Sequence, residues 1–234
     1  MASGIILAKP QTEEDPPYNH PQYKSTALRG PNRSPLIIRP GLTELHGPVF
    51  GESRIRPNDN DLTAQHPGEP IGEKIVVSGQ LMDSDGRPIR NQLVEIWQAN
   101  SCGRYAHALD DHPAPLDPNF TGGGRTMTDN EGRYRFTTIK PAAYPWGNHP
   151  NAWRPAHIHF SLYGTAFTQR LITQMYFPGD PLIDSDPIAN SIRDKKVLAR
   201  LVSAFDWDLT IPGTALGYRW DIVLGGSNPT PEAI

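Results

Sequence analysis

Proline is the feature that most limits what this chain can fold into. There are 25 prolines among 234 residues, about twice the usual share for a globular protein. Because proline lacks a backbone N–H and has a fixed φ angle, it is rare inside helices and inside sheets. Hydrophobic residues still make up 37% of the chain, so a buried core can form. The composition therefore predicts short strands joined by many ordered turns, and few long helices.

The charge balance and the cysteine content exclude several classes of function. The 22 lysines and arginines nearly balance the 25 aspartates and glutamates, so a nucleic-acid groove or a polybasic membrane anchor is not expected. Cys102 is the one cysteine of the sequence, which excludes an internal disulfide framework and a multi-cysteine metal site. No apolar run is long enough for a signal peptide or a membrane span. We interpret the protein as soluble and cytoplasmic.

The sequence divides into two parts at about residue 70. Residues 1–70 are rich in proline and show little periodicity, which predicts an extended N-terminal arm that packs on the protein's own core or on another chain. The alternative interpretation of this arm is a partly disordered leader. Residues 71–234 have the composition of strands and turns and are expected to form a single folded domain.

At least seven runs in the second part are predicted to be strands. They are Lys74–Met82, Leu93–Gln98, Arg125–Thr128, Arg133–Thr138, His157–Tyr163, Arg170–Phe177 and Leu216–Leu224. Turn-forming residues at 83–86 and 129–132 are expected to join the first four runs into two pairs. Convincing helical spacing occurs in Lys195–Phe205 alone. The predicted fold class is all-β, with a mainly antiparallel β-sandwich core, a long proline-rich N-terminal arm and short helices.

Two histidines separated by one residue form the most informative motif. Side chains alternate along a strand, so His157 and His159 share one face while Ile158 and Phe160 share the other. At that spacing two imidazoles can converge on one metal ion. The alternative is a pair of half-buried histidines, or a strand that faces solvent.

A third metal ligand has to come from elsewhere in the chain. No His-Glu-x-x-His motif is present, and no histidine follows His159. Tyr105 and Tyr144 are candidates, although a tyrosine in a turn is more often a packing anchor. Because a tyrosine binds metal well only as the phenolate, a set of tyrosines and histidines indicates a hard trivalent ion such as ferric iron.

Five stretches of the sequence together resemble the intradiol ring-cleaving dioxygenases. They are LVEIWQANSCGRY (Leu93–Tyr105), APLDPNF (Ala114–Phe120), IKPAAYPW (Ile139–Trp146), WRPAHIHF (Trp153–Phe160) and LITQMYFPGDPL (Leu171–Leu182). The resemblance extends from about Tyr23 to Leu224 and is weaker in the arm and between Asp206 and Thr214. The combination of WRPAHIHF with YPW and WQAN is highly specific for this family.

The resemblance implies a β-sandwich that holds a non-haem Fe(III) ion between two tyrosinates and two histidines. The implied ligands are Tyr105, Tyr144, His157 and His159. Of these, Tyr144 would leave the iron when a catechol binds, while Tyr105 would stay. Arg154 would lie beside the iron and stabilise negative charge that develops on the ring.

The resemblance also implies a substrate pocket and a partner chain. Trp146, Gln174 and Ile188 would shape the pocket for substrate and O2, and Tyr23 would approach a carboxylate of the substrate. In the branch of the family that cleaves protocatechuate to 3-carboxy-cis,cis-muconate, the iron-bearing chain assembles with a homologous α chain. The proline-rich arm, which would then pack on that partner, favours this branch.

Two alternatives stay open at this point. A catechol or hydroxyquinol 1,2-dioxygenase would share the iron site but carries an N-terminal helical dimerisation region, for which residues 1–70 are too rich in proline. A metal-free transthyretin-like binding module would share the stretch VVSGQLMDSDGRPIRNQLVEIW (Val76–Trp97). Such a module has no need for two tyrosines and two histidines together.

Overall fold

Two β-sheets lie face to face and enclose the core. The computed structural model describes residues 15–33, 55–148, 153–163 and 170–233. The first sheet is built around the long strand β1, and it contains β1 (Lys74–Asp83), β4 (Arg133–Ile139), β9 (Ala204–Phe205), β10 (Leu216–Arg219) and β11 (Ile222–Leu224). In it β4 runs antiparallel to β1, whereas β10 and β11 run parallel to it.

The second sheet is antiparallel throughout. Its order is β3 (Gly123–Met127), β2 (Leu93–Trp97), β7 (His157–Tyr163) and β8 (Arg170–Tyr176). A separate two-stranded ribbon joins β5 (Tyr144–Pro145) to β6 (Trp153–Arg154). The helices are short: α1 (Thr26–Arg29), α2 (Lys195–Leu198) and 3-10 turns at Pro181–Ser185, Ala189–Ser191 and Ala199–Leu201. The predicted all-β sandwich with short helices is confirmed.

Both predicted turns form, but neither joins two strands of one sheet. In the first turn the Gly86 N–H donates to the Asp83 carbonyl at 3.1 Å, and Gly86 has a φ of +76°. The chain then passes from β1 in the first sheet to β2 in the second. At the turn of residues 129–132 the chain passes back from β3 in the second sheet to β4 in the first. The expected strand pairs are therefore wrong, because turn residues fix a local reversal while the apolar faces decide which sheet a strand joins.

The helix expected over Lys195–Phe205 ends early. After α2 and one 3-10 turn, the Ser203 N–H donates to the Tyr176 carbonyl at 2.9 Å, so this segment pairs with the edge of β8. The strand expected over Leu216–Leu224 is likewise broken, at Trp220, whose side chain turns into the core and is 3% exposed. In both places tertiary contacts override the local pattern.

Part of the predicted arm already belongs to the sandwich. Asp61 forms a bridge with Thr137 on β4, and Leu62 is fully buried in the core. The boundary at residue 71 and the packing of residues 1–70 on a partner chain stay predictions, and residues 1–14 and 34–54 lie outside the described part of the chain. Among the residues that the structure describes, no helix is long and apolar enough to cross a membrane.

Strand β7 connects the core to the candidate site. Ile158 and Phe160 are fully buried between the sheets. The ring centroid of Phe160 lies 4.8 Å from that of Trp220 and 5.9 Å from that of Phe136. His157 and His159 point to the opposite face of the second sheet, as the alternation predicts.

Replacing Phe160 with leucine is expected to lower the free energy of unfolding by about 1–2 kcal/mol, because the smaller side chain leaves part of this aromatic cluster unfilled. Chemical denaturation measures the change. Phe205→Leu is the matched control, since Phe205 is 39% exposed at the edge of the first sheet and should change stability by less than about 0.5 kcal/mol. Equal losses in the two variants would contradict a core centred on Phe160.

Candidate active site

The two histidines of β7 bring their ring nitrogens together. The Nε2 atoms of His157 and His159 are 3.2 Å apart. The Nδ1 atom of His157 lies 2.7 Å from the Pro155 carbonyl oxygen, which can only accept a hydrogen bond. Nδ1 therefore carries the proton, and the lone pair of Nε2 points into the site. His159 stacks on Trp97 of the neighbouring strand β2, with ring centroids 4.8 Å apart.

The two tyrosines reach the same place from two loops. Tyr105 follows β2, and its backbone N–H donates to Asp110 at 2.7 Å. Tyr144 lies on the ribbon strand β5, opposite Arg154 of β6. The two loops cross at Gly103, where the φ is +77° and a Cβ atom would lie 2.4 Å from the Ala143 carbonyl oxygen. Glycine is needed there, because any side chain would push the two loops apart.

Four candidate ligands thus converge in the structure. The hydroxyl oxygen of Tyr105 lies 3.1 Å from Nε2 of His159 and 3.5 Å from Nε2 of His157. The Tyr144 ring centroid lies 5.5 Å from that of Tyr105 and 5.6 Å from that of His157.

These separations suit a shared metal ion. Ligand atoms about 2.1 Å from a metal, at angles of about 90–110°, lie roughly 3.0–3.4 Å from each other. Within the described ranges, no group of three His, Cys, Asp or Glu residues could hold a metal. A metal bound by the two histidines would therefore need the phenol oxygens as well.

The surroundings of the two histidines favour their neutral forms. Burial lowers the pKa of His157 well below its usual value, and the positive charge of Arg154 lowers it further. The same two causes lower the pKa of His159 to about 3. Both imidazoles are neutral near pH 7, so a metal has no proton to displace from them.

The two tyrosines, unlike the histidines, carry a proton that a metal would have to displace. Burial raises the pKa of Tyr105 well above its ordinary value, and the neighbouring Tyr144 raises it further. Burial also raises the pKa of Tyr144, while the charge of Arg154 opposes that effect. A phenolate at either position therefore needs a strong cation beside it, and a ferric ion bound by these tyrosines and histidines would be such a cation.

Arg154 is buried directly behind the site. It is 2% exposed, and its Nε donates to Asp186 at 2.8 Å. Its Nη2 donates to the amide oxygen of Gln174, and the guanidinium carbon lies 5.3 Å from the centre of the Trp146 ring. Burial alone would lower the pKa of Arg154, but nearby negative groups, Asp186 among them, outweigh burial and raise it. The guanidinium charge is therefore permanent.

A cavity of about 870 Å³ opens in front of these residues. Aromatic and polar side chains line it: Trp97, Tyr105, His107, Leu109, Asp110, Asp111, His112, Pro113, Tyr144, Pro145, Trp146, Gly147, Trp153 and His159. His157 lies behind this wall and is 2% exposed. The volume and the aromatic walls suit a small planar ring.

The four residues predicted for the substrate pocket do not all line the cavity. Trp146 lines the cavity. Tyr23 contacts Trp146 edge to face at 4.7 Å and lies behind it. Gln174 is buried and bonds Arg154 and the Ala233 carbonyl, so it supports the wall instead of lining it. Ile188 is 3% exposed within the core cluster. Their roles toward a substrate stay predictions.

Sequence reasoning missed four residues that organise the site. Trp97 stacks on His159, Asp110 holds the backbone of Tyr105, and Asp186 and Tyr176 surround Arg154. A signal existed for Trp97, which alternates with buried residues on β2. Asp110 and Asp186 lie in loops, where an aspartate is common, and no local pattern distinguishes them.

Comparisons with known proteins show the family to which the chain belongs. The model of the dioxygenase family matches residues 45–226, and a model for the N-terminal part of the protocatechuate 3,4-dioxygenase beta subunit matches residues 10–40. The protocatechuate 3,4-dioxygenase beta chain of Burkholderia cepacia is 55% identical to this chain over 99% of both. The chain belongs to the intradiol dioxygenase family. The resemblance predicted from the motifs is confirmed, and so is membership of an enzyme family.

Other relatives of this intradiol dioxygenase match over shorter lengths. Hydroxyquinol 1,2-dioxygenase of Rhizobium sp. (strain MTP-10005) is 35% identical over 50% of this chain and 42% of its own length. The crystal structure of 3-chlorocatechol 1,2-dioxygenase from Rhodococcus opacus 1CP superposes with a TM-score of 0.55, at 25% identity over 74% of this chain and 67% of that chain. The full-length match therefore distinguishes the beta-chain branch from the 1,2-dioxygenases.

Proposed function

We propose that the chain is the iron-bearing subunit of an intradiol dioxygenase that cleaves protocatechuate with O2 to 3-carboxy-cis,cis-muconate. The observation that carries this proposal is the convergence of two tyrosines and two histidines beside a cavity with aromatic walls. The full-length similarity to a protocatechuate 3,4-dioxygenase beta chain supports the substrate. In the reaction, the bond between the two hydroxylated ring carbons breaks, and each of these carbons receives one oxygen atom of O2.

Fe(III) would be held by Tyr105, Tyr144, His157 and His159. The chemistry that Fe(III) would supply there is a Lewis-acid centre that a doubly deprotonated catechol can chelate, which makes the ring reactive toward O2. The flat aromatic faces of Trp97 and Trp146 would hold the ring in place, because both side chains line the cavity.

The side chains of the site supply proton transfer and charge stabilisation. Tyr144 is half-buried and lines the cavity, so its phenolate can accept a proton from a catechol hydroxyl. Arg154 carries a permanent positive charge behind the ligand cluster, which can stabilise negative charge that develops on the ring. Burial and the charge of Arg154 lower the pKa values of His157 and His159, so both imidazoles are neutral near pH 7 and available as nitrogen ligands.

The chain would act together with a homologous α chain. The relative with full-length similarity is named as a beta chain. At the mouth of the cavity, Leu109 is 86% exposed and Trp153 is 49% exposed. Large apolar side chains at a cavity mouth are suited to burial against another chain. Packing of the N-terminal arm on that chain and a cytoplasmic location belong to the same proposal.

The proposal is tested by the visible spectrum of the complex, purified after co-expression with the homologous chain and loaded with Fe(III). We expect a visible band from iron–tyrosinate ligation that moves to longer wavelength when protocatechuate is added without O2. Catechol, which lacks the carboxylate, is the matched control and should move the band less. A larger shift with catechol would favour a catechol 1,2-dioxygenase, and a colourless protein without iron would overturn the proposal.

Replacing Tyr144 with phenylalanine is expected to leave iron bound but to lower kcat by about 100-fold, since three ligands remain while a proton acceptor is lost. Iron analysis and steady-state O2 consumption measure the two effects. Tyr18→Phe is the control, because Tyr18 is 46% exposed and is not among the residues of the cavity wall. An unchanged kcat in Tyr144→Phe would remove the proposed role.

A further inference from the structure

Asp186 is a fully buried carboxylate for which the proposed chemistry has no direct use. It lies after the 3-10 turn at Pro181–Ser185 and is 0% exposed. Oδ1 accepts hydrogen bonds from Arg154 Nε at 2.8 Å and from the Ile188 N–H at 3.5 Å. Oδ2 accepts from the Tyr176 hydroxyl at 3.0 Å, from the Ala189 N–H at 3.3 Å and from Arg154 Nη2 at 3.4 Å. Five donor atoms therefore fix both oxygens of this carboxylate.

The same contacts fix the orientation of Arg154. Asp186 holds the Nε edge of the guanidinium, and Gln174 holds Nη2 through its amide oxygen. The Gln174 amide is itself oriented, because its nitrogen donates to the Ala233 carbonyl at 3.1 Å. The described residues offer no hydrogen bond to Nη1 of Arg154, while the guanidinium lies over the Trp146 ring.

We propose that Asp186 is a positioning residue for the ring-cleavage reaction: it holds Arg154 against Trp146, behind the wall of the cavity, and balances its charge, so that the guanidinium keeps one orientation relative to the bound ring. This inference rests on the proposed function. A guanidinium that is free to rotate would no longer hold its charge in one place relative to the reacting ring, and misplacement by about 1 Å can cost a factor of roughly 100 in rate.

A purely structural role is the competing explanation. The backbone N–H groups of Ile188 and Ala189 also bond Asp186, so the carboxylate could simply hold the segment after β8 in place. A matched pair elsewhere in the chain separates the two roles. Asp206 likewise accepts from an arginine Nε, that of Arg219 at 2.6 Å, and from the backbone N–H groups of Asp208 and Leu209.

The experiment is a double-mutant cycle of Asp186→Asn and Arg154→Met in the co-purified, iron-loaded complex, with Asp206→Asn as control. Iron content, kcat, KM and the thermal midpoint are measured for each variant. We expect Asp186→Asn to lower kcat about 10- to 100-fold per iron, with KM within about threefold. Added to Arg154→Met, it should change kcat by less than about twofold, because the guanidinium it positions is gone. Asp206→Asn should leave kcat unchanged.

Stability gives a second readout. Asp186→Asn leaves a buried cation without its partner, whereas the double variant removes both charges, so the double variant should have the higher thermal midpoint. If Asp186→Asn alone does not assemble, recovery of assembly in the double variant supports the same coupling. A lower midpoint with unchanged kcat, equal losses of kcat in both backgrounds, or failure of both variants to assemble would overturn the inference. If the wild-type complex cleaves neither protocatechuate nor catechol, the proposed function fails, while the order of the thermal midpoints still tests the pair.

Discussion

Replacing His157 with alanine is expected to reduce bound iron to less than about a tenth of the wild-type content and to abolish measurable ring cleavage. In the proposed site, this substitution removes a nitrogen ligand of the metal and part of the packing around it. The Nε2 atom of His157 lies 3.5 Å from the Tyr105 hydroxyl oxygen and 3.2 Å from Nε2 of His159. Metal analysis of the purified complex, together with O2 consumption, measures the result.

The strength of this effect follows from how the ligand is held. The hydrogen bond from Nδ1 to the Pro155 carbonyl orients the ring, and burial keeps the imidazole neutral by lowering its pKa. A ligand that is already oriented and deprotonated binds a metal without a reorganisation cost.

His107→Ala is the matched control for this prediction. His107 lies at the rim of the same cavity and is exposed, and its Nδ1 accepts the Leu109 N–H at 3.1 Å. Its loss should leave the iron content within about 20% of wild type, since rim positions contribute little to a buried site. Full iron content in His157→Ala would place the metal elsewhere and would end the assignment of β7 as the source of two ligands.

The sequence predicts the histidine pair because the alternation of a strand is a local property. Ile158 and Phe160 are both fully buried, so His157 and His159 must share the other face of the sheet. Burial of the apolar side chains on one face of β7 thus determines that both histidines lie on the other face. No knowledge of the neighbouring strands is needed for this step.

The tyrosines show where local reasoning ends. The tripeptide Gly-Arg-Tyr occurs at 103–105 and again at 132–134. Tyr105 lies in the site, whereas Tyr134 is 1% exposed in the core, where its ring centroid lies 5.8 Å from that of Phe160. Tyr105 is placed by the loop that crosses at Gly103, and Tyr134 by the register of β4. Neither of these features can be predicted from the tripeptide. Recognition of the family supplied what spacing could not.

The support behind the site was not predictable for a similar reason. Asp186 follows a surface turn in the sequence, and its burial depends on how the segment after β8 folds back over Arg154. The predicted pairing of the first four strands failed because each turn is compatible with a hairpin and with a crossing between sheets. Long-range packing decides both cases.

Replacing Arg154 with alanine is expected to lower kcat by about 100- to 1,000-fold while most of the iron stays bound. A fixed cation beside developing negative charge is worth most in a site that excludes water. Arg154 contributes no ligand atom, and it lies behind Trp146 with its charge fully buried. The change should therefore appear in kcat per iron more than in KM, as measured by steady-state kinetics on the complex.

The same substitution should also lower the free energy of unfolding by about 3–5 kcal/mol, because the Asp186 carboxylate loses the cation that balances it. Arg125→Ala is the control. Arg125 pairs with Glu95 at 3.0 Å, but its side chain is 44% exposed, so its loss should cost less than about 1 kcal/mol.

Arg154→Lys separates charge from geometry. Lysine keeps the positive charge but is a point donor, so it cannot bond Asp186 and Gln174 at once in the planar arrangement that arginine adopts. We expect its kcat to lie between those of wild type and alanine, closer to alanine. A lysine variant with wild-type kcat would show that charge alone is required, and an alanine variant with wild-type kcat would remove Arg154 from the reaction.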